Sequence, residues 1–137
     1  MRIKETALYF TLLVSRVVLG AIMIAHGWTK VHGGMQHHVQ LVQSLGMPGW
    51  TAYLSAGAEF GGGILVLIGL FTRVASAAIL VNMLVAIFRV TIHNGLVSRA
   101  GKTGYEFPLS LAAIALTLLV LGSGPISADW LFRGQKK

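Results

Sequence analysis

Four long apolar segments separated by polar connections dominate the pattern of hydrophobic and polar positions along this chain. Each segment is about 20 residues long, which is the length that an α-helix needs to cross a hydrocarbon core of about 30 Å. The pattern therefore predicts an all-α fold: an integral membrane, antiparallel four-helix transmembrane bundle formed by a single domain over residues 1–137. The predicted spans are residues 7–26, 51–71, 74–92 and 105–121.

The connection between the first two spans carries a pattern of its own. Glycine-rich turns begin and end residues 31–50, and four apolar residues repeat at helical spacing between them: Met35, Val39, Val42 and Leu45. This spacing indicates a short amphipathic helix that lies in the membrane interface. Two adjacent histidines, His37 and His38, point about 100° apart on such a helix, so they make a poor metal pair and are interpreted as solvated.

Composition supports a membrane location. Hydrophobic residues make up 55% of the chain and charged residues 11%, against about 25% charged residues in a soluble domain. The net charge is +7, but the basic residues lie at the ends of the apolar segments and not on one face. That distribution predicts a multi-pass protein with both termini in the cytoplasm and no nucleic-acid partner. The chain has no cysteine, so it cannot hold an iron–sulfur cluster through its own thiolates.

One carboxylate, Glu59, lies inside the glycine-rich second span. An acidic group at membrane depth costs on the order of 2.5–3.5 kcal/mol on insertion scales, so Glu59 needs either a partner or a proton. Gly57 and Gly61 form a GxxxG motif on either side of it, and the common use of this motif is close packing of two helices. The alternative is that these glycines leave space around Glu59 for a ligand.

The predicted topology brings polar residues from all four spans into the outer half of the bundle. Glu59 lies eight residues, about 12 Å, from the outer start of its span, and Arg16 lies ten residues, about 15 Å, below His26. The remaining members of this set are Arg89, His93 and Glu106.

Two interpretations of this set stay open. In the first, Arg16–Glu59 and Arg89–Glu106 are structural ion pairs that fix how the helices dock. In the second, the polar residues line a pocket for a small polar or quinone-like ligand, or a proton route, because intramembrane charges are functional by default.

Several motifs, taken in their order along the chain, resemble the DoxX family of four-helix bacterial membrane proteins. They are HGWTK after span one, LGMPG before span two, EFGGGILVLIGLFTR within span two, GYEF opening span four and GSGPISAD after it. An arginine in the first span and His-Asn-Gly at the end of the third complete the resemblance, which covers Arg16 to Asp129.

The resemblance implies a redox-associated protein of the bacterial inner membrane, because the family includes small subunits of thiosulfate:quinone oxidoreductase and members linked to oxidative stress and quinone resistance. The leading hypothesis is a quinone-interacting subunit or membrane anchor with a soluble oxidoreductase partner. By the same resemblance, the recurrent polar positions of the family correspond to Arg16, His26, Lys30, Glu59, His93 and Glu106. Arg89 is added from helix geometry alone.

In this hypothesis Glu59, held by Arg16, exchanges a proton with the quinone, and His26, His93 and Glu106 relay that proton outwards. Two alternatives stay open for the same pocket: a small-molecule or proton transporter or channel, and a structural membrane scaffold. Haem held by His26 and His93 is a weaker hypothesis, and no metal site is expected. The GxxxG face also leaves a homo-oligomer open, in addition to contact with the lipid bilayer.

Overall fold

Residues 2–134, the part of the chain that the computed structural model describes, are all-helical and contain no β-strand. The α-helices are α1 (Ile3–Thr29), α2 (Met35–Ser44), α3 (Thr51–Ile68), α4 (Thr72–Ala86), α5 (Glu106–Leu121) and α6 (Ala128–Gly134). A π-helical turn and a 3₁₀ turn extend α4 as far as Asn94. Within this described range, three segments are long and apolar enough to cross a membrane, namely Ile3–Ser44, Thr51–Ile68 and Thr72–Asn94, and α5 is a shorter apolar helix.

The chain kinks between α1 and α2. Helical hydrogen bonding continues through Lys30–Gly34, but His32 (φ −99°, ψ 55°) and Gly33 (φ 104°, ψ −9°) leave the helical region. Glycine adopts a positive φ at little steric cost, so Gly33 permits this change of direction. Beyond the kink, α2 packs against α3.

A tight turn joins α3 to α4. Gly69 ends α3 in the left-handed conformation, with φ 72°. The start of α4 has no capping side chain of its own, and Asp129 from the C-terminal segment supplies one. Its carboxylate accepts hydrogen bonds from the backbone N–H groups of Phe71, at 2.8 Å, and Thr72, at 3.0 Å. The C-terminal segment is thereby fixed to this end of the helices, which we call the Asp129 end.

The core lies between α1, α3, α4 and α5. Helix α1 packs on α3, α3 on α4 and α4 on α5, and α1 also contacts α5. Large side chains that are fully buried come from all four helices: Leu19, Val66, Ile79 and Leu118. Many other large apolar side chains are exposed on the outer faces, including Phe10, Val81, Phe88 and Val120. Helices that are apolar on all sides are typical of membrane spans.

Glycines bring α1 and α3 close together. A Cβ atom at Gly27 would lie 2.5 Å from the backbone nitrogen of Phe60, and one at Gly63 would lie 2.9 Å from the Cβ of Met23. Real Cβ atoms do not approach other atoms this closely, so both positions require the absence of a side chain.

The GxxxG motif on α3 is not part of this contact. A Cβ atom added at Gly57 or Gly61 would have open space around it. Within the described residues no helix packs against these two glycines, and the alternative of open space beside Glu59 describes this part of the structure. Packing of this face against a second copy of the chain stays a prediction.

This contrast predicts opposite effects for one added methyl group. Gly27→Ala is expected to lower the free energy of unfolding by about 1–3 kcal/mol, because the methyl group would overlap the α3 backbone. Gly61→Ala places the same group in open space on a helix, and a gain of about 0.5–1 kcal/mol is expected from its better helix propensity. Thermal unfolding in detergent would compare the two variants, and equal losses would contradict the packing described here.

Candidate functional site

A groove of about 1050 Å³ runs between α3 and α4, and α2 lies at one end of it. The groove is wide because small residues line it, including Gly57 and Gly61 on α3 and Ala78 on α4. Val81 and Val85 on α4 add apolar surface to its lining. Ligand pockets are typically concave and apolar with a few polar groups. The groove meets this description, since its lining is mostly apolar and its polar side chains are few.

A buried cluster of polar groups lies in the groove around Glu59, which is 5% exposed. The Oε1 atom of Glu59 accepts a hydrogen bond from Lys30 Nζ at 2.7 Å and another from Asn82 Nδ2 at 3.1 Å. The Oε2 atom is also buried, yet it has no hydrogen-bond partner among the described residues. An unsatisfied buried acceptor costs about 1–3 kcal/mol, so Oε2 is a group that a ligand would stabilise.

The close contact of α1 and α3 explains how Lys30 reaches Glu59. Gly27 lies against Phe60, the residue after Glu59, and Lys30 follows Gly27 after three residues, about one helical turn. The long aliphatic stem of a lysine can follow an apolar surface while its ammonium group reaches a polar one. The absence of a side chain at Gly27 thus lets the two helices approach at the level of the ion pair.

His38 on α2 also lines the groove. Its Nε2 atom is buried without a hydrogen-bond partner among residues 2–134, and its ring interacts electrostatically with Lys30 and Glu59. Sequence reasoning treated His38 as solvated and missed this position. The available signal was its spacing, because His38 lies four residues before the buried Val42 and so shares its face of the helix.

Arg16 lies far from this cluster, and the predicted Arg16–Glu59 pair was wrong. Arg16 is 2% exposed and lies at the C-terminal end of α3, seven residues and roughly 10 Å along the helix from Glu59. Helix C-termini carry carbonyl groups without intrahelical donors, and these attract a guanidinium group. The guanidinium donates to the carbonyl oxygens of Val66 (3.1 Å), Leu67 (2.9 Å), Ser123 (3.0 Å) and Ile126 (2.5 Å).

The predicted Arg89–Glu106 pair was also wrong. Glu106 begins α5, and its Oε1 atom accepts a hydrogen bond from the backbone N–H of Ser98 at 2.9 Å, which holds the preceding loop in place. Arg89 is exposed on the π-helical turn, and no hydrogen bond or ion pair joins it to another described residue. The loop backbone thus offers Glu106 a nearer partner than the neighbouring helix does.

The two remaining histidines of the predicted set are exposed and do not line the groove. The Nδ1 atom of His26 lies 2.9 Å from the carbonyl oxygen of Ile22, and its ring is tilted against Phe107 with centroids 5.4 Å apart. His93 lies in the 3₁₀ turn after α4. Of the seven predicted site residues, the structure brings only Lys30 and Glu59 together in the groove, and it adds residues from α2 and α4.

Asp129 lies at the Asp129 end of the helices, away from the cluster around Glu59, and its ionisation makes the stability of the fold depend on pH. Partial burial alone would raise the pKa of Asp129, but the N–H groups of Thr72 and Phe71 and the nearby charge of Arg133 outweigh burial and hold the pKa below its ordinary value of 3.8. A carboxylate that accepts hydrogen bonds at the start of a helix is stabilised in its ionised form.

This lowered pKa predicts acid sensitivity. Since the folded-state pKa lies below the unfolded-state value, the contribution of Asp129 is fully present above about pH 4 and is lost as the pH falls through the folded-state pKa. Asp129→Ala should lose about 1 kcal/mol of stability at pH 7 and show a flatter Tm profile between pH 5 and pH 3. Arg89→Leu, which alters an exposed side chain outside this contact, is the control and should follow the wild-type profile. Superimposed wild-type and Asp129→Ala profiles would contradict the capping role.

The residues that line the groove lie within the part of the chain that matches a known protein family. A family model described as DoxX matches residues 11–94, which include Lys30, His38, Glu59 and Asn82. The chain is 32% identical over 125 residues to "Putative oxidoreductase CatD" of Bacillus subtilis (strain 168), covering 90% of this chain and 89% of that protein. It is 29% identical over 121 residues to "Inner membrane protein YqjF" of Escherichia coli (strain K12), covering 87% of this chain and 89% of that protein. No solved structure matches the chain at a significant level.

Proposed function

Because this chain belongs to the DoxX family of membrane proteins, we propose that it is the quinone-binding membrane subunit of a redox system and that the groove between α3 and α4 is its binding site. The observation that carries this proposal is the buried Oε2 atom of Glu59, which has no partner among the described residues and lies in an apolar groove. The name of the Bacillus subtilis relative, which describes an oxidoreductase, supports a redox role.

The residues of the groove fit a quinone in both oxidation states. The ring carbonyls of the oxidised form accept hydrogen bonds, and the ammonium group of Lys30 has three N–H donors, one of which is directed to Glu59. The hydroxyl groups of the reduced form donate hydrogen bonds, and an ionised Glu59 offers Oε2 as an acceptor. The apolar walls, with Val81 and Val85 on α4, suit an isoprenoid chain.

A bound quinone would supply two-electron, two-proton redox chemistry within the membrane. Glu59 binds the head group through Oε2 and is the residue that gives or takes a proton there. The ammonium group of Lys30 contacts the Glu59 carboxylate at 2.7 Å, and the amide of Asn82 helps to fix the orientation of that carboxylate. The apolar lining and α2 limit the access of water to these groups, which strengthens their electrostatic interactions.

The same proposal includes the arrangement in the membrane. We place α1, α3, α4 and α5 across the bilayer as an antiparallel bundle, with α2 in the interface and both termini in the cytoplasm, because basic residues flank the apolar segments. Helix α5 has 16 residues, so it is about 24 Å long and requires local thinning of the bilayer or flanking interfacial residues. The Escherichia coli relative, by its name, resides in the inner membrane, and we assign this chain to the same kind of membrane.

The electrons for a bound quinone would come from a partner protein. The chain has no cysteine for iron–sulfur ligation, and we assign the electron donor to a soluble oxidoreductase. The chain itself supplies the membrane anchor, the binding groove and the proton-exchanging carboxylate.

Solvent extraction of the purified protein tests this proposal. The protein is isolated in mild detergent, and extracted quinone is quantified against protein for the wild type and two tryptophan variants. We expect near-stoichiometric quinone in the wild type and a strong loss in Gly61→Trp, because the indole would fill the open space of the groove. Val120→Trp, on the exposed face of α5, is the matched control and should retain quinone. A wild-type extract without quinone, or equal amounts in both variants, would contradict the proposal.

A further inference from the structure

Two polar atoms in the groove have the same unusual environment. Glu59 Oε2 and His38 Nε2 are both buried, and neither has a hydrogen-bond partner among residues 2–134. Native proteins leave few buried polar atoms unpaired, and each such atom requires an explanation. The hydroxyl group of Ser76 is also buried without a hydrogen-bond partner in the described part of the chain, but Ser76 does not line the groove.

The two groove atoms come from different helices that face each other. Glu59 belongs to α3, and His38 belongs to α2, the helix that packs against α3 beyond the kink. Val42, one turn after His38, is 6% exposed and anchors this face of α2 in the groove, whereas the adjacent His37 is exposed. His38, Lys30 and Glu59 line the same groove, and the ring of His38 interacts electrostatically with both charged groups.

We propose that His38 binds a second polar group of the ligand, so that the head group bridges Glu59 on α3 and His38 on α2. This proposal rests on the quinone assignment above. It adds that the protein binds both ring oxygen atoms of the ligand, so a ligand with one ring oxygen atom should bind more weakly. An ionised carboxylate only accepts hydrogen bonds, whereas an imidazole nitrogen donates or accepts according to its tautomer. Glu59 therefore selects a hydroxyl group on one side of the ring, and His38 can serve the second oxygen in either oxidation state.

A pair of ligands that differ in one hydroxyl group tests the bridge. Decylhydroquinone carries two ring hydroxyl groups, and decylphenol carries one that Glu59 can still bind. Dissociation constants are measured in detergent for the wild type and for the variants His38→Leu, His38→Gln, His37→Leu and Glu59→Gln. We expect the wild type to bind decylhydroquinone about tenfold more tightly than decylphenol, which corresponds to one additional hydrogen bond.

The variants separate a binding role of His38 from a structural one. His38→Leu should abolish the preference by weakening only decylhydroquinone, whereas His37→Leu, the exposed neighbour, should keep it. His38→Gln should restore part of it, because an amide can also hydrogen-bond. A His38→Leu variant that keeps the preference, or that weakens both ligands equally, would overturn the inference.

Failure of the inference and failure of the proposed function give different results. If Glu59→Gln weakens both ligands while His38→Leu leaves their ratio unchanged, the quinone site stands and the bridge is wrong. If the wild type binds neither ligand, the quinone assignment fails, and the bridge fails with it.

Discussion

Arg16→Leu is expected to lower the free energy of unfolding by about 3–5 kcal/mol, a loss large enough to threaten the fold. The guanidinium group is 2% exposed and donates hydrogen bonds to four backbone carbonyl oxygens, two at the end of α3 and two in the segment between α5 and α6. Leucine has no donor, so it would leave these carbonyls without their partner. The segment that carries Asp129, the cap of α4, would lose its attachment at the same time.

Chemical or thermal unfolding in detergent measures this effect, with Arg89→Leu as the matched control. Arg89 is exposed and makes no hydrogen bond or ion pair with another described residue, so its replacement should change the stability by less than about 0.5 kcal/mol. Arg16→Lys keeps the charge but not the planar fork, and we expect it to be destabilised while its folded fraction still binds quinone. A stable Arg16 variant that has lost quinone binding would contradict this assignment and would favour a direct Arg16–Glu59 interaction.

Glu59→Gln is expected to weaken the binding of decylhydroquinone by about 10- to 100-fold, because a hydrogen bond to a charged acceptor contributes about 1.5–3 kcal/mol. Glutamine has nearly the shape of glutamate, so the groove should keep its form. Lys30 would lose its counter-ion, but its side chain is 23% exposed and can turn its ammonium group towards the interface. The effect on stability should therefore be small relative to the effect on binding.

The same substitution at Glu106 provides the control for this experiment. Glu106 hydrogen-bonds to Ser98 and does not line the groove, so Glu106→Gln should leave the dissociation constant unchanged. Isothermal titration calorimetry on both variants would make the comparison. Equal weakening by the two variants would indicate a single larger pocket that includes Glu106, and no weakening by either would exclude Glu59 as the head-group contact.

The sequence contained enough information for the class of fold and the family, because both depend on patterns that are read along the chain. Apolar length predicts a helix that can span a membrane, and the prediction of an all-helical membrane protein of the DoxX family was confirmed. The antiparallel arrangement of four spans, with an interfacial helix after the first, stays a prediction. Local patterns do not specify which helix faces meet.

The partners of the charged residues could not be predicted for that reason. A pairing depends on the depth and rotation of two helices, and opposite charges on adjacent spans made Arg16–Glu59 a reasonable prediction. Arg16 instead donates hydrogen bonds to backbone carbonyl oxygens at the end of α3. Backbone groups of this kind cannot be identified from the pattern of side chains. Glu59 finds Lys30, which lies beyond the end of α1 and reaches it because Gly27 brings the helices together.

The GxxxG motif shows the same limit. Small residues at Gly57 and Gly61 indicate that something approaches α3 closely, but the motif does not tell a helix from a ligand. None of the residues from 2 to 134 fills this space. The role of Asn82 likewise depends on the packing of α4 beside α3, which brings its amide to 3.1 Å from Glu59.

Photoaffinity labelling with an azido-substituted quinone would locate the ligand on the chain. The labelled protein is digested, and the modified residues are identified by mass spectrometry, with and without excess decylhydroquinone as a competitor. We expect labels on the groove walls, in the stretch from Gly57 to Gly61 and around Val81 and Val85, and we expect the competitor to remove them. Labels spread over the exposed face of α5, for example at Val120, and insensitive to the competitor would contradict a quinone site beside Glu59.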